Sequence, residues 1–145
     1  MLKVFIDSSV LFTMCDSLKG ASYELLQLAQ REYLQLVTST YAFAEAEISL
    51  SENNKPKAVA LLLAVKQLSI WLIVDITPQE YISAIPTTPD IQDVSIVASA
   101  MKAKVDYLVS FDKKHLHLST VEKYVNAPTV TPDVVLREVR KQNNL

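Results

Sequence analysis

Short apolar runs rich in β-branched residues alternate along this chain with longer segments of helical period, and that alternation admits few folds. The runs are Lys3–Ile6, Leu34–Ser39, Ile70–Ile76, Tyr107–Phe111 and a brief Pro128–Thr131. The helical segments are Ser22–Glu32, Thr40–Ser51, Pro56–Leu68, Ile91–Lys104 and Pro132–Lys141. Strands separated by helices pair in parallel, because a parallel neighbour is reached only through a crossover. The runs are apolar almost throughout rather than at every second position, as strands covered on both faces require. The sequence therefore predicts an α/β fold, a three-layer α/β/α sandwich with a central, mainly parallel sheet.

The chain has 145 residues, 50% of them apolar, which suffices for one core, and no internal boundary or repeat divides it. Residues 1–145 are expected to form a single domain. The longest apolar run, Ala58–Val65, is far short of a membrane span, and the N-terminus enters a strand pattern without the layout of a secretory signal. The segment Pro56–Leu68 is apolar almost all round. It should be covered on more than one side, either within the chain or by a second subunit or partner.

Composition limits the chemistry further. A single glycine, Gly20, excludes both a phosphate-binding P-loop and a dinucleotide-binding glycine loop. A single cysteine, Cys15, excludes an internal disulfide and a cysteine-based zinc site, reads as a small buried apolar residue, and suits a reducing, cytoplasmic setting. The net charge of −2 gives no overall basic field, although Lys102, Lys104, Lys113 and Lys114, and then Arg137, Arg140 and Lys141, concentrate positive charge locally.

The acids are more telling. Asp7 closes the first apolar run and Asp112 closes the fourth, so in a parallel sheet both fall at its carboxyl edge, where α/β folds place their sites. Asp90 and Asp93 open the helix pattern whose inner face would be Val94, Val97, Ala98 and Met101. Singly, each acid has a plain reading: Asp7 and Asp112 cap the helices that follow, Asp90 is an N-cap, and Asp93 is a first-turn acid. Gathered at one edge, they repel one another unless a cation joins them. No Lys or Arg is obviously supplied beside Asp7 or Asp93, and hard oxygen ligands suit Mg²⁺ or Mn²⁺.

In these residues the chain resembles the PIN domain, a metal-dependent ribonuclease family that includes the VapC-type toxins of toxin–antitoxin pairs. "VFIDSSVLF" (Val4–Phe12) is similar to the family's opening, an Asp closing the first strand with a small polar residue two positions on, here Ser9. "VTSTYAFAEAEISL" (Val37–Leu50) resembles its second motif, a Ser followed six residues later by Glu, which selects Glu45 where helical periodicity leaves Glu45 and Glu47 open. "DVSIVASAMKAKVDYLVSFDKKHL" (Asp93–Leu116) looks like the family's Asp-led helix running into a strand that ends in Ser or Thr, one residue, then Asp. "TVTPDVVLREV" (Thr129–Val139) is similar to a common PIN ending. The chain departs from the pattern at Phe111, where a small residue is frequent, and at Lys113, Lys114 and His115, where many members carry a further acid.

The resemblance implies hydrolysis of RNA phosphodiester bonds with Mg²⁺ or Mn²⁺ held by Asp7, Asp93 and Asp112. Glu45 would complete the catalytic set, and Ser9 and Ser110 would hold carboxylates in place. Lys113 and Lys114 would contact RNA phosphates. It also implies a homodimer and an antitoxin protein as partner. It gives Asp75, which ends another strand pattern, no role beyond a helix cap or turn. His115 and His117, two residues apart, do not share a helix face and make poor joint ligands, though either could touch RNA. Two other readings remain: a non-catalytic PIN-fold binding module, and a phosphoaccepting receiver-like domain with Asp75 as acceptor.

Overall fold

The computed structural model describes residues 1–145. Its centre is a sheet of five parallel strands: β1 (Leu2–Ile6), β2 (Leu34–Thr38), β3 (Trp71–Ile73), β4 (Tyr107–Val109) and β5 (Thr129–Val130), in the order β3-β2-β1-β4-β5. Eight helices accompany it: α1 (Ser8–Asp16), α2 (Ala21–Gln30), α3 (Thr40–Glu52), α4 (Pro56–Lys66), α5 (Pro78–Ala84), α6 (Val94–Ala103), α7 (Ser119–Val125) and α8 (Pro132–Asn143). Two 3₁₀ turns, Ile85–Thr87 and Ile91–Asp93, lie between α5 and α6. The helices α1 to α4 and α8 pack among themselves, as do α5, α6 and α7. With the sheet between the two groups, this is the predicted three-layer α/β/α sandwich. No helix is long and apolar enough to cross a membrane.

The central strand shows why the runs had to be uniformly apolar. Val4 faces Leu36 of β2 on one side and Tyr107 of β4 on the other, and Val4, Phe5 and Ile6 are wholly buried. Fully burying side chains of this kind is worth about 1.5–3 kcal/mol each, so β1, in one buried cluster with Leu36, Leu108, Ile96 and Phe43, anchors the core. The order of the strands also fixes a switch point. The chain steps outward from β1 to β2 to β3, then returns across the sheet to β4 and β5. Between the carboxyl ends of β1 and β4 the connections diverge, leaving the crevice in which such folds place a site.

Three helices lie outside the segments of helical period read from the sequence, although the capping readings of Asp7 and Asp112 allowed for helices after them. In α1 the buried residues Val10, Leu11, Met14 and Cys15 have helical spacing, but the stretch is short and largely apolar, so its period is weak. Helix α5 carries its signal openly: Thr77 caps it, Glu80 returns the bond to close a capping box, and Pro78 occupies the first turn. Helix α7 is a seven-residue segment that starts well after Asp112, so Asp112 does not cap a following helix. With glycine almost absent, chain reversals use other residues. Asn54, Asn126 and Asn144 take the left-handed conformation after helices, joined by Glu32 and Lys104.

Two expectations about helix faces are corrected. Helix α6 begins at Val94 rather than Ile91, and it is buried on nearly every side, with Met101 only half-buried. Helix α4 is the reverse. It buries a single stripe, Ala58, Leu62 and Val65, whereas Leu63 stays 46% exposed. The chain itself therefore does not cover α4 on more than one side. In urea unfolding, Leu62→Ala should cost about 2–4 kcal/mol through the cavity it leaves, while Leu63→Ala should stay within about 0.5 kcal/mol. Equal losses at the two positions would mean that the outer face is covered as well.

Candidate active site

The carboxyl end of β1 runs directly into Asp7, which stands at the N-cap position of α1 yet makes no capping bond with its side chain. The carboxylate turns instead toward the end of β4. Its Oδ2 accepts from Ser9 Oγ at 2.9 Å and from Ser110 Oγ at 2.6 Å, while Oδ1 lies 3.4 Å from Ser8 Oγ. Only 3% of Asp7 is exposed, and burial raises its pKa against the lowering pull of these hydroxyls. The capping explanation of Asp7 is thereby replaced by a buried, hydroxyl-held carboxylate.

Ser110 and Ser9 each serve two partners. Ser110 Oγ also accepts the backbone N–H of Asp112 at 3.0 Å, and Ser9 Oγ accepts that of Phe111 at 3.1 Å. The loop after β4 is thus tied to Asp7 through both hydroxyls. Beyond it the chain folds back at once: Asp112 Oδ1 accepts the N–H of His115 at 3.0 Å, and the Asp112 carbonyl accepts those of Leu116 and His117. Asp112 caps this turn. His117 Nε2 donates to the Ser110 carbonyl at 2.6 Å, which holds the same loop from its far end.

Glu45 reaches the group from α3. Its Oε1 accepts from Ser8 Oγ at 2.7 Å and its Oε2 lies 3.4 Å from the Tyr41 hydroxyl, which also donates to the Gln92 carbonyl. Burial first, and then Asp7, raise the Glu45 pKa. Glu47 lies elsewhere, in the groove between α3 and α4 beside Leu62 and Lys66. Of the two acids that periodicity left open, Glu45 is the one at the sheet edge. Tyr41 is pushed up to about 12 by burial and by Glu45.

Asp93 ends the second 3₁₀ turn and makes no capping bond to α6, whereas Asp90 caps that turn through Gln92, as a plain N-cap reading requires. Burial raises the Asp93 pKa to about 7, with Asp112, Asp7, Asp90 and Glu45 all adding in the same direction. The electrostatics show that acids from four separate places in the chain share one locality. No lysine or arginine forms an ion pair with Asp7, Glu45, Asp93 or Asp112. Lys113 and Lys114 are exposed on the turn beside Asp112.

One residue of this site escaped the sequence reading. The ring of His115 faces three acids, its Nδ1 lying 3.1 Å from Asp112, 3.5 Å from Asp93 and 3.7 Å from Asp90. Asp90, Asp93 and His115 bring ligand atoms within 4.8 Å of one another, a cluster able to hold a metal ion. His115 and His117 do point to different partners, as their spacing implies. The overlooked signal was His115 alone, three residues after Asp112, where a tight turn returns a side chain onto the acid. Asp75, by contrast, is remote from the cluster: its carboxylate accepts from the backbone and hydroxyl of Thr40 and so caps α3 from the end of β3.

A family model described as PIN domain matches residues 3–114. No curated protein sequence matches the chain. Among solved structures the chain is similar to VapC20 of Mycobacterium tuberculosis, described as a sarcin–ricin loop cleaving toxin, with a TM-score of 0.60 and 15% identity over 76% of this chain and 90% of that one. It is similar to PAE2754 of Pyrobaculum aerophilum at a TM-score of 0.63 and 17% identity, covering 94% of both chains. It is also similar to VapBC2 of Rickettsia felis, solved bound to a DNA fragment from its promoter, at 0.60 and 15% over 88% of this chain and 97% of that one. At such identities these likenesses establish a shared fold.

The crowding of acids has a sign that can be measured. Asp93 titrates near 7 when folded and near 3.9 when unfolded, so between those values the unfolded chain binds fewer protons. Its contribution to stability is therefore lost as pH rises from about 4 to about 7. In EDTA, Asp93→Asn should flatten this slope and stabilise the protein at pH 8 by on the order of 1–2 kcal/mol after solvent screening. Thermal unfolding by circular dichroism tests it, and an unchanged midpoint at pH 8 would count against crowding at Asp93.

Proposed function

We propose, from the premise that this chain belongs to the PIN domain family, that it is a metal-dependent ribonuclease cutting RNA phosphodiester bonds at the carboxyl edge of its sheet. The observation that carries the reading is the convergence of Asp7, Glu45, Asp93 and Asp112 without a Lys or Arg partner, with Asp93 raised to about 7 by its neighbours. Such a group is poorly suited to a purely structural role and well suited to a divalent cation. The donors are hard oxygens with one imidazole alongside, which fits Mg²⁺ or Mn²⁺. Asp7, Asp93 and Asp112 would hold the ion, with Asp90 and His115 at its margin. When bound, the ion supplies Lewis-acid polarisation of a phosphoryl oxygen and a nucleophilic water at neutral pH.

The remaining roles belong to the chain. Ser9 and Ser110 keep Asp7 in one orientation, as hydrogen-bonded neighbours of metal-binding carboxylates do. Ser8 orients Glu45, whose raised pKa suits it to take a proton from the attacking water. His115 holds Asp112 through its backbone and its ring. Lys113 and Lys114 offer positive charge to flanking phosphates, and a recessed sheet edge admits a single strand more readily than a duplex. Residues 1–145 act as one PIN-like unit in this reading. A cytoplasmic toxin role, with a homodimer and an antitoxin partner, is the biological setting we favour. It is supported by the likeness to VapC20 and VapBC2 and by the uncovered apolar face of α4.

A second reading, a non-catalytic PIN-fold binding module, draws on His115, whose ring already sits among three of the acids. The two are separated by incubating the purified protein with a labelled, unstructured RNA in Mn²⁺ or Mg²⁺, with EDTA and Asp93→Asn as controls. We expect cleavage that EDTA abolishes and that the variant reduces at least about 100-fold. Equal cutting by the variant would indict a contaminating nuclease. No cutting, together with no Mn²⁺ binding by calorimetry, would establish the non-catalytic reading.

A further inference from the structure

Beside the acids lies a cavity of about 520 Å³ that none of the roles above uses. Ser8 and Glu45 form the wall it shares with the acidic site, Phe12 and Phe111 supply its aromatic surface, and Ser49 and Asn53 line it with polar groups. Phe111 is 44% exposed, although it directly precedes Asp112. A phenylalanine this exposed contributes little to the fold. Its backbone is nevertheless held firmly, with its own N–H on Ser9 Oγ at 3.1 Å and the next N–H on Ser110 Oγ at 3.0 Å. The backbone that carries the ring is therefore tied to the same two hydroxyls that hold Asp7.

We propose that this cavity is a nucleobase subsite, in which the base of a nucleotide next to the scissile phosphate stacks on Phe111. This rests on the nuclease reading and deepens it. A base suits the site in shape and in chemistry. Its flat face meets an aromatic ring, and the volume is that of a small-ligand pocket. Asn53 gives one amide proton to the Ser49 carbonyl at 2.7 Å, which leaves its Oδ1 without a partner in the chain, as Ser49 Oγ also is. These two atoms can meet the hydrogen-bonding edge of an unpaired base. Glu45 is the only charged residue in the lining, so the cavity takes the uncharged base while the phosphate faces the acid-held cation. Stacking is tolerant of sequence, so Phe111 positions a strand, and Asn53 with Ser49 biases which base is preferred.

The test is steady-state cleavage of a fluorescein-labelled, unstructured RNA 12-mer with a single preferred cut, and of copies carrying one abasic ribose at each position in turn. Phe111→Ala should raise KM by roughly 10- to 100-fold with a much smaller change in kcat, the size expected for losing one stacked base. Phe111→Trp should retain the wild-type KM, whereas Phe111→Leu, equally apolar but unable to stack, should behave like Phe111→Ala. One abasic position should raise the wild-type KM by a similar factor and add nothing further in Phe111→Ala. Circular dichroism establishes that the variants fold. A wild-type enzyme that cuts while Phe111→Ala keeps its KM, or Phe111→Leu performing as well as Phe111→Trp, overturns the subsite alone. So does a large Phe111→Ala effect that no abasic position reproduces, the result expected if the cavity instead receives an apolar side chain of a protein partner. A wild-type chain that neither binds nor cuts the intact RNA overturns the nuclease reading and the subsite with it.

Discussion

Asp7 carries a carboxylate into a nearly dry position at the end of the central strand, and much of the local architecture follows from satisfying it. An isolated buried carboxylate is penalised by several kcal/mol or neutralises itself, so its oxygens must find donors. They find Ser9 two residues on, in the first turn of α1, and Ser110 at the end of β4. The same hydroxyls take up the N–H groups of Asp112 and Phe111, so solving the hydrogen bonding of one acid also positions the next acid and the exposed ring between them. Parallel pairing of β1 with β4 is the condition for all of this, because only adjacent strands ending at one edge bring residues so distant in sequence together.

The acids around Asp7 oppose the stability of the fold that assembles them. Burial, and after it the neighbouring acids, raise the pKa of Asp7, Glu45 and Asp93, and no lysine or arginine pairs with them. Elsewhere the chain arranges charge in the ordinary way. Lys55 meets Asp16, Lys102 meets Glu80, and Arg140 meets Glu24. Local rules are respected away from the sheet edge and broken at it, the pattern expected where a site is bought with stability.

The layers, the strand direction and the edge on which the acids fall were legible because each rests on a repeated signal. Uniformly apolar strands specify parallel pairing, and acids that end strands specify the edge. The strand runs around Ile70–Ile76 and Tyr107–Phe111 nevertheless shrink to three residues each, because Asp75 and Asp112 are engaged in capping and turning rather than in the ladder. Helix α1 showed only in the capping reading of Asp7, because its nine residues are too short and too apolar to display a clear helical period. The choice of Glu45 over Glu47 needed the family motif, since both acids lie on the same helix and what separates their surroundings, Ser8 beside Glu45 and Leu62 with Lys66 beside Glu47, comes from elements distant in sequence. His115 was hidden for a different reason. A turn, unlike a helix, leaves no period from which its inward residue can be read.

The strand order carries one more consequence, for the chain as it is made. A chain is made from its N-terminal side onward, so β1 appears before the rest of the sheet and meets β2 first. Its other neighbour arrives only with Tyr107–Val109, and the hydroxyl of Ser110 that holds Asp7 lies 103 residues downstream of it. Until then the first acid has no Ser110, Asp112 and His115 have not been joined to the chain, and the edge on which they meet does not exist. A nascent chain thus lacks the assembled acidic edge until β4 and the loop after it have been made, and that delay is written into its topology.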